Sequence, residues 1–139
     1  MISSISKEYE ESFKLLGLQV NNNFNNLFNL NDINANEDNY LYGYFVDNIL
    51  VGFIHVIKLI DELEIINIVV DKEYRGRGIG KELLTFIINS FDDIKNIFLE
   101  VSDKNDIAIK LYESNGFSII NVRKNYYKDS DALIMRKDV

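Results

Sequence analysis

The sequence has no cysteine, no proline, no tryptophan and a single histidine, His55. Without cysteine there is no disulfide framework and no thiolate metal site. One histidine also rules out a histidine-rich zinc centre, so no metal is expected. No apolar run approaches the roughly 20 residues needed to span a bilayer; Ile49–Ile57, among the longest, falls far short. The opening MISSISKEYE lacks the charged-then-apolar pattern of a secretory leader. A cytoplasmic protein with no membrane partner is the expectation. The formal net charge of -7 disfavours a nucleic-acid partner, because phosphate contacts require clustered Lys and Arg.

With proline absent, glycines and Asn/Asp clusters must punctuate the 139 residues. Lys7–Leu18 reads as a helix through Phe13, Leu15, Leu16 and Leu18. Asn21–Asn39 is crowded with asparagine, yet Phe24, Leu27, Phe28, Leu30 and Ile33 recur at near-helical spacing, which predicts an irregular helix and then a loop. Tyr40–Val46 and Ile49–Ile60 read as a hairpin turning at Asp47-Asn48. Leu63–Val70 is nearly all apolar and reads as a central strand. Leu83, Leu84, Ile87, Ile88 and Phe91 share one helix face. A strand over Asn96–Val101 precedes a second helical stripe of Ile107, Ala108, Leu111 and Tyr112. Gly116 ends that stripe as an αL cap. Phe117–Tyr127 and Ala132–Arg136 complete the strands. No repeat or linker interrupts the pattern, so residues 1–139 are expected to form one mixed α/β domain.

Positive charge does concentrate once. Lys72, Arg75, Arg77 and Lys81 surround Gly76, Gly78 and Gly80, between the apolar strand and an amphipathic helix. A helix N-terminus offers unpaired N–H groups and a positive dipole end, so a small phosphate-bearing ligand is the natural occupant. The letters exclude two familiar phosphate loops. A Walker loop needs glycine where Arg75 stands and Ser or Thr where Glu82 stands. A dinucleotide fingerprint starting at Gly76 needs a third glycine where Lys81 stands.

Arg75-Gly76-Arg77-Gly78-Ile79-Gly80 instead resembles the pyrophosphate loop of the GNAT superfamily, Arg/Gln-x-x-Gly-x-Gly/Ala. Further motifs in matching order resemble the RimI type: Asn67-Ile68-Val69-Val70-Asp71, Leu99-Glu100-Val101, Leu111–Phe117, Lys124–Tyr127 and Asp131–Met135. The resemblance covers roughly residues 40–139. It implies the GNAT fold, a central twisted mixed sheet of about six or seven strands flanked by about four helices. It also implies an acetyl-CoA-dependent N-acetyltransferase acting on a primary amine, most characteristically a protein N-terminus.

The same resemblance assigns the site. The backbone of Ile68, Val69 and Val70 would pair with the pantetheine arm of acetyl-CoA, and Arg75, Gly76, Arg77, Gly78, Ile79, Gly80 and Lys81 would cradle its pyrophosphate. Asn105 matches a CoA contact, although helix capping is its alternative role. Tyr112 matches the general acid that protonates the leaving thiolate, Glu100 the general base. Glu64 falls where lysine acetyltransferases of the superfamily place theirs, and stands second. An α-amine of pKa near 8 is about a tenth neutral at pH 7, a lysine amine of pKa near 10.4 well under a thousandth, so a base matters less for an N-terminal substrate. His55, inside an apolar strand, reads as a hydrogen-bonded structural residue.

Three departures touch acceptor recognition. The Pro-Trp pair usual in the amino-terminal helical region is missing, Ser102 replaces an arginine after Leu-Glu-Val, and the loop between Tyr127 and Asp131 is short. A protein lysine or a small amine such as a polyamine or antibiotic therefore stands as the alternative acceptor. A CoA-binding module without catalysis is a third reading, opposed by the presence of both Glu100 and Tyr112. A monomer or homodimer is expected.

Overall fold

The computed structural model describes residues Met1–Val139. Its strands are β1 (Ile2–Ser4), β2 (Asn39–Val46), β3 (Ile49–Leu59), β4 (Glu62–Val70), β5 (Asn96–Ser102), β6 (Ser118–Tyr127) and β7 (Ser130–Asp138). They form one sheet in the order β1-β2-β3-β4-β5-β7-β6, antiparallel everywhere except between β4 and β5. The helices are α1 (Glu10–Leu18), α2 (Phe24–Leu27), α3 (Leu30–Ala35), α4 (Ile79–Asn89) and α5 (Asp106–Ser114). No helix is long and apolar enough to cross a membrane.

Two of these elements differ from the sequence reading. The asparagine-rich stretch forms two short helices rather than one, separated where Phe28 and Asn29 adopt extended backbone. Asn29 places its side-chain oxygen on the N–H groups of Asn31 and Asp32, restarting the helix as an N-cap. β1, which no pattern in the sequence marks, exists through its pairing with Tyr42–Tyr44 of β2.

Each face of the sheet carries a helical layer. On one face α4 buries Ile79, Leu83, Leu84 and Ile87, and α5 buries Tyr112, against Ile54, Val56, Leu63, Ile65, Ile97, Leu99 and Met135. Tyr42 meets Phe86 edge-on at 4.9 Å, and Tyr40 meets Phe91 at 5.0 Å, so alternate β2 side chains seat the outer flank of α4 and the segment just past its end at Asn89. On the other face α1, α2 and α3 cover Leu41, Phe45, Leu50, Phe53 and Val69. Phe13, Phe24 and Phe53 pack there with centroids 4.7 to 6.0 Å apart.

Two turns follow the residues that make them. Asp47 and Asn48 both have positive φ, 50° and 65°, as a two-residue hairpin turn of the primed type requires. At the end of α5, Gly116 (φ 92°) donates to the Glu113 carbonyl and Phe117 to that of Tyr112. That pair of bonds is a Schellman cap, and the Phe117 ring packs on Tyr112 at 5.6 Å.

Candidate functional site

The sheet opens in its middle. β4 and β5 pair in parallel from Glu62–Asn96 to Ile65–Leu99 and no further. At that point β4 bulges: His55 of β3 lies opposite Asn67 and Val56 opposite Ile65, so Ile66 is an extra residue. A bulge bends its strand and ends regular pairing. β4 therefore diverges while β5 continues alongside β7 to the Ser102–Ala132 pair. From Ile66 to Val70, β4 has a strand neighbour on one edge only. Ile68 and Val70 direct their side chains to the α4 layer and Val69 to the α1 layer, leaving main-chain groups along the free edge. The Val70 carbonyl is the exception, since it accepts from Arg75 Nε at 3.1 Å.

The glycine loop closes the end of this cleft. Asp71 caps a short 3-10 turn over Lys72–Tyr74, and Gly78 (φ 80°, ψ 11°) caps α4. The first helical bond runs from the Glu82 N–H to the Gly78 carbonyl, so the N–H groups of Ile79, Gly80 and Lys81 start without partners in the helix. A Cβ built on Gly76 or Gly78 would meet no atom within 4 Å, and both residues have positive φ. The loop is thus a cradle with open space against its backbone. Gly80 sits close to Leu111 of α5 and to Val70, which draws α4, α5 and the end of β4 together. Of the loop cations, Arg77 lies over the Tyr74 ring at 4.7 Å, and Lys81 lines a shallow depression with Ile2 and Thr85 beside α4.

Tyr112 stands one residue beyond Leu111, 5% exposed, and its hydroxyl makes no hydrogen bond within the protein. Burial pushes its phenol well above the usual value, so it stays protonated at neutral pH. Both carboxylates occupy the opposite face. Glu64 lies opposite Ile57 on β3, which shares a face with Phe53 beneath α1, and beside Phe98 on β5. Glu100, two residues after Phe98, shares that face. Arg123 Nη1 holds a Glu100 oxygen at 3.3 Å, and both side chains reach solvent. Tyr127 is close enough that, after burial, the negative charge of Glu100 raises its phenol further.

Tyr112 lies on the α4 side of the sheet, and Glu100 and Glu64 lie on the α1 side, Glu64 within the paired part of β4 and Glu100 beyond it on β5. Asn105 caps α5, accepting from the Ala108 N–H at 3.2 Å. Its amide nitrogen is left over, so capping does not consume the side chain. His55 is structural: 3% exposed, its Nε2 lies 2.6 Å from Asn39 Oδ1, and burial lowers its pKa to about 4, keeping the ring neutral. Arg123 and Asn67 were not singled out from sequence. Arg123 reaches Glu100 only through the β5-β7-β6 register. Asn67, beside the bulge, has a buried Nδ2 without a partner.

Comparison with known proteins agrees with this fold. The acetyltransferase (GNAT) family model matches residues 2–117. The ribosomal protein bS18-alanine N-acetyltransferase of Haemophilus ducreyi is 42% identical over 88 residues, 62% of this chain, and the match spans 60% of that protein's length. The crystal structure of the ribosomal-protein-S18-alanine N-acetyltransferase from Escherichia coli superposes with a TM-score of 0.84 at 27% identity, covering 100% of this chain and 93% of that one. A Bacillus anthracis acetyltransferase solved with acetyl coenzyme A superposes with a TM-score of 0.71 at 28% identity, covering 78% of this chain and 67% of that one. By its family match, its split sheet and its glycine loop, the chain belongs to the GNAT acetyltransferase family.

Proposed function

We propose that this chain transfers the acetyl group of acetyl-CoA to a primary amine, the N-terminal α-amine of a protein, in the cytoplasm where donor and acceptor meet. The observation that carries this reading is the junction of the one-sided edge of β4 with the open glycine cradle at the start of α4. A pantetheine arm is a chain of amides, and the free edge at Ile68, Val69 and Val70 suits it as it would suit an added strand. A pyrophosphate suits the free N–H groups of Ile79, Gly80 and Lys81, with the Gly76 and Gly78 backbone open to it and Arg75 and Arg77 adding positive charge. Asn105, whose oxygen caps α5, keeps its amide nitrogen to donate to the same ligand. Bound there, acetyl-CoA supplies an activated thioester. The Bacillus anthracis relative was solved with that ligand, and the Haemophilus ducreyi and Escherichia coli relatives carry the name of an alanine N-acetyltransferase.

Two side chains handle the protons. As the amine nitrogen bonds to the acetyl carbon and the carbon–sulfur bond breaks, Tyr112 gives its phenolic proton to the departing sulfur. Burial holds that proton in place beforehand, and a thiolate released into the same low-dielectric crevice is costly to leave charged. Glu100, across the sheet, receives the proton shed by the amine, directly or through water.

The test is a pH–rate profile on a peptide with a free α-amine. Glu100→Gln is expected to lower kcat roughly 10- to 100-fold and to flatten the rise of rate with pH, leaving acetyl-CoA binding intact. Glu64→Gln should leave the shape of the profile unchanged. The reverse pattern would move the base to Glu64 and the acceptor towards lysine.

A further inference from the structure

On the α1–α3 side of the sheet, next to the carboxylate pair, lies a cavity of about 270 Å³ lined by Ile57, Leu59, Glu62, Leu63, Glu64 and Phe98. The register explains its shape. Ile57 and Leu59 of β3 stand opposite Glu64 and Glu62 of β4, and Phe98 of β5 flanks Glu64. Phe98 is two residues before Glu100, so the cavity opens on the same face as the proposed amine site, one side-chain step along β5.

Its charge is uncompensated. The cations around this end of the sheet are engaged elsewhere: Lys58 with Asp93 at 3.0 Å, Lys95 with Asp61 at 3.5 Å, Arg136 with Asp138 at 3.1 Å and Arg123 with Glu100 at 3.3 Å. Glu62 and Glu64 have no ion-pair partner and are both exposed. Apolar walls with two free carboxylates complement a long aliphatic stem that ends in a cation, the chemistry of lysine and arginine side chains. A neutral side chain of equal length would bury the same stem and leave both charges unanswered. An acidic one would meet like charge.

We propose that this cavity is the acceptor-reading subsite: it takes a lysine or arginine side chain from the first few residues behind the acetylated amine. The inference rests on reading the cleft as an amine acetyltransferase site, and it makes Glu64 a binding group rather than the base. It also gives the overall negative charge of the protein a role at the site, since the acceptor it selects is a cationic peptide.

The experiment uses free-amine peptides of one sequence, carrying lysine, norleucine or glutamate at the second, third or fourth position. At one of these positions kcat/KM for lysine should exceed that for norleucine about five- to tenfold, and that for glutamate by more. The advantage should shrink with added salt, because the carboxylates are exposed. In the Glu62→Gln/Glu64→Gln double variant the lysine-to-norleucine ratio should fall to about one, whatever the absolute rate. Glu64→Lys should reverse the preference towards glutamate, and serves if the double variant folds poorly. Equal acetylation of all peptides by the unaltered protein, or a ratio that survives the double variant, overturns the subsite alone. If no peptide is acetylated at all, the acceptor assignment falls and the subsite with it.

Discussion

Replacing Gly78 should all but abolish acetyl-CoA binding in a protein that still folds. Gly78 caps α4 with φ 80°, and a Cβ added there points into the open space against the loop backbone. A pyrophosphate needs that space to reach the N–H groups of the first turn. Losing two hydrogen bonds to a charged group, each worth roughly 1.5 kcal/mol or more, lowers affinity by about 100-fold. Valine combines the blockage with strain, because a β-branched residue is disfavoured at positive φ and costs on the order of 1–3 kcal/mol of stability. Asparagine separates the two effects, since it tolerates the left-handed region yet still carries a Cβ. Calorimetric titration of CoA into Gly78→Val and Gly78→Asn, beside a thermal melt of each, makes the measurement. Weak binding by both, with Asn melting close to the unaltered protein, is the expected outcome. Full affinity in a folded Gly78→Val protein would remove the loop from the site.

The second large effect belongs to Tyr112. Tyr112→Phe keeps the ring that packs on Phe117 and within the α4–α5 layer, and deletes only the hydroxyl. That hydroxyl makes no hydrogen bond within the protein, so its removal leaves no buried partner unsatisfied and should not lower the melting temperature. Turnover should fall about 100-fold or more, the usual contribution of a positioned acid, with CoA affinity unchanged. Normal turnover combined with earlier melting would make Tyr112 a packing residue. The separation of kcat from stability is the decisive feature, because a core tyrosine and an acid are otherwise placed alike on a helix stripe.

Much of this was legible in the sequence, and the exceptions share a cause. The Asp47-Asn48 turn, the α4 stripe from Leu83 to Ile88 and the Gly116 cap are local devices, written in consecutive residues, and the structure has them where the sequence indicates. Phe91 instead falls past the end of α4 at Asn89, and Ile107 of the α5 stripe faces solvent. The opening between β4 and β5 is not local. The bulge that creates it falls inside the run Ile65-Ile66-Asn67-Ile68, where the letters give no alternation to break. β1 is three residues with no pattern of its own, defined only by the strand beside it. The Glu100–Arg123 ion pair and the acidic cavity depend on registers across three strands, which spacing along the chain does not encode. For Asn105 the sequence offered capping and ligand binding as rivals. The structure shows that its two amide atoms divide, with the oxygen on Ala108 and the nitrogen free.

The protein is incubated with acetyl-CoA and an equimolar mixture of three acceptors. These are a basic peptide with a free amino terminus and no lysine, a peptide with a blocked amino terminus and an internal lysine, and a polyamine. Mass spectrometry then locates the transferred acetyl group. The acetyl group is expected on the α-amine of the first peptide, and is expected to be lost in Tyr112→Phe over the same interval. Acetyl found only on the lysine side chain or the polyamine, or on no acceptor while CoA still binds, would contradict the proposed function.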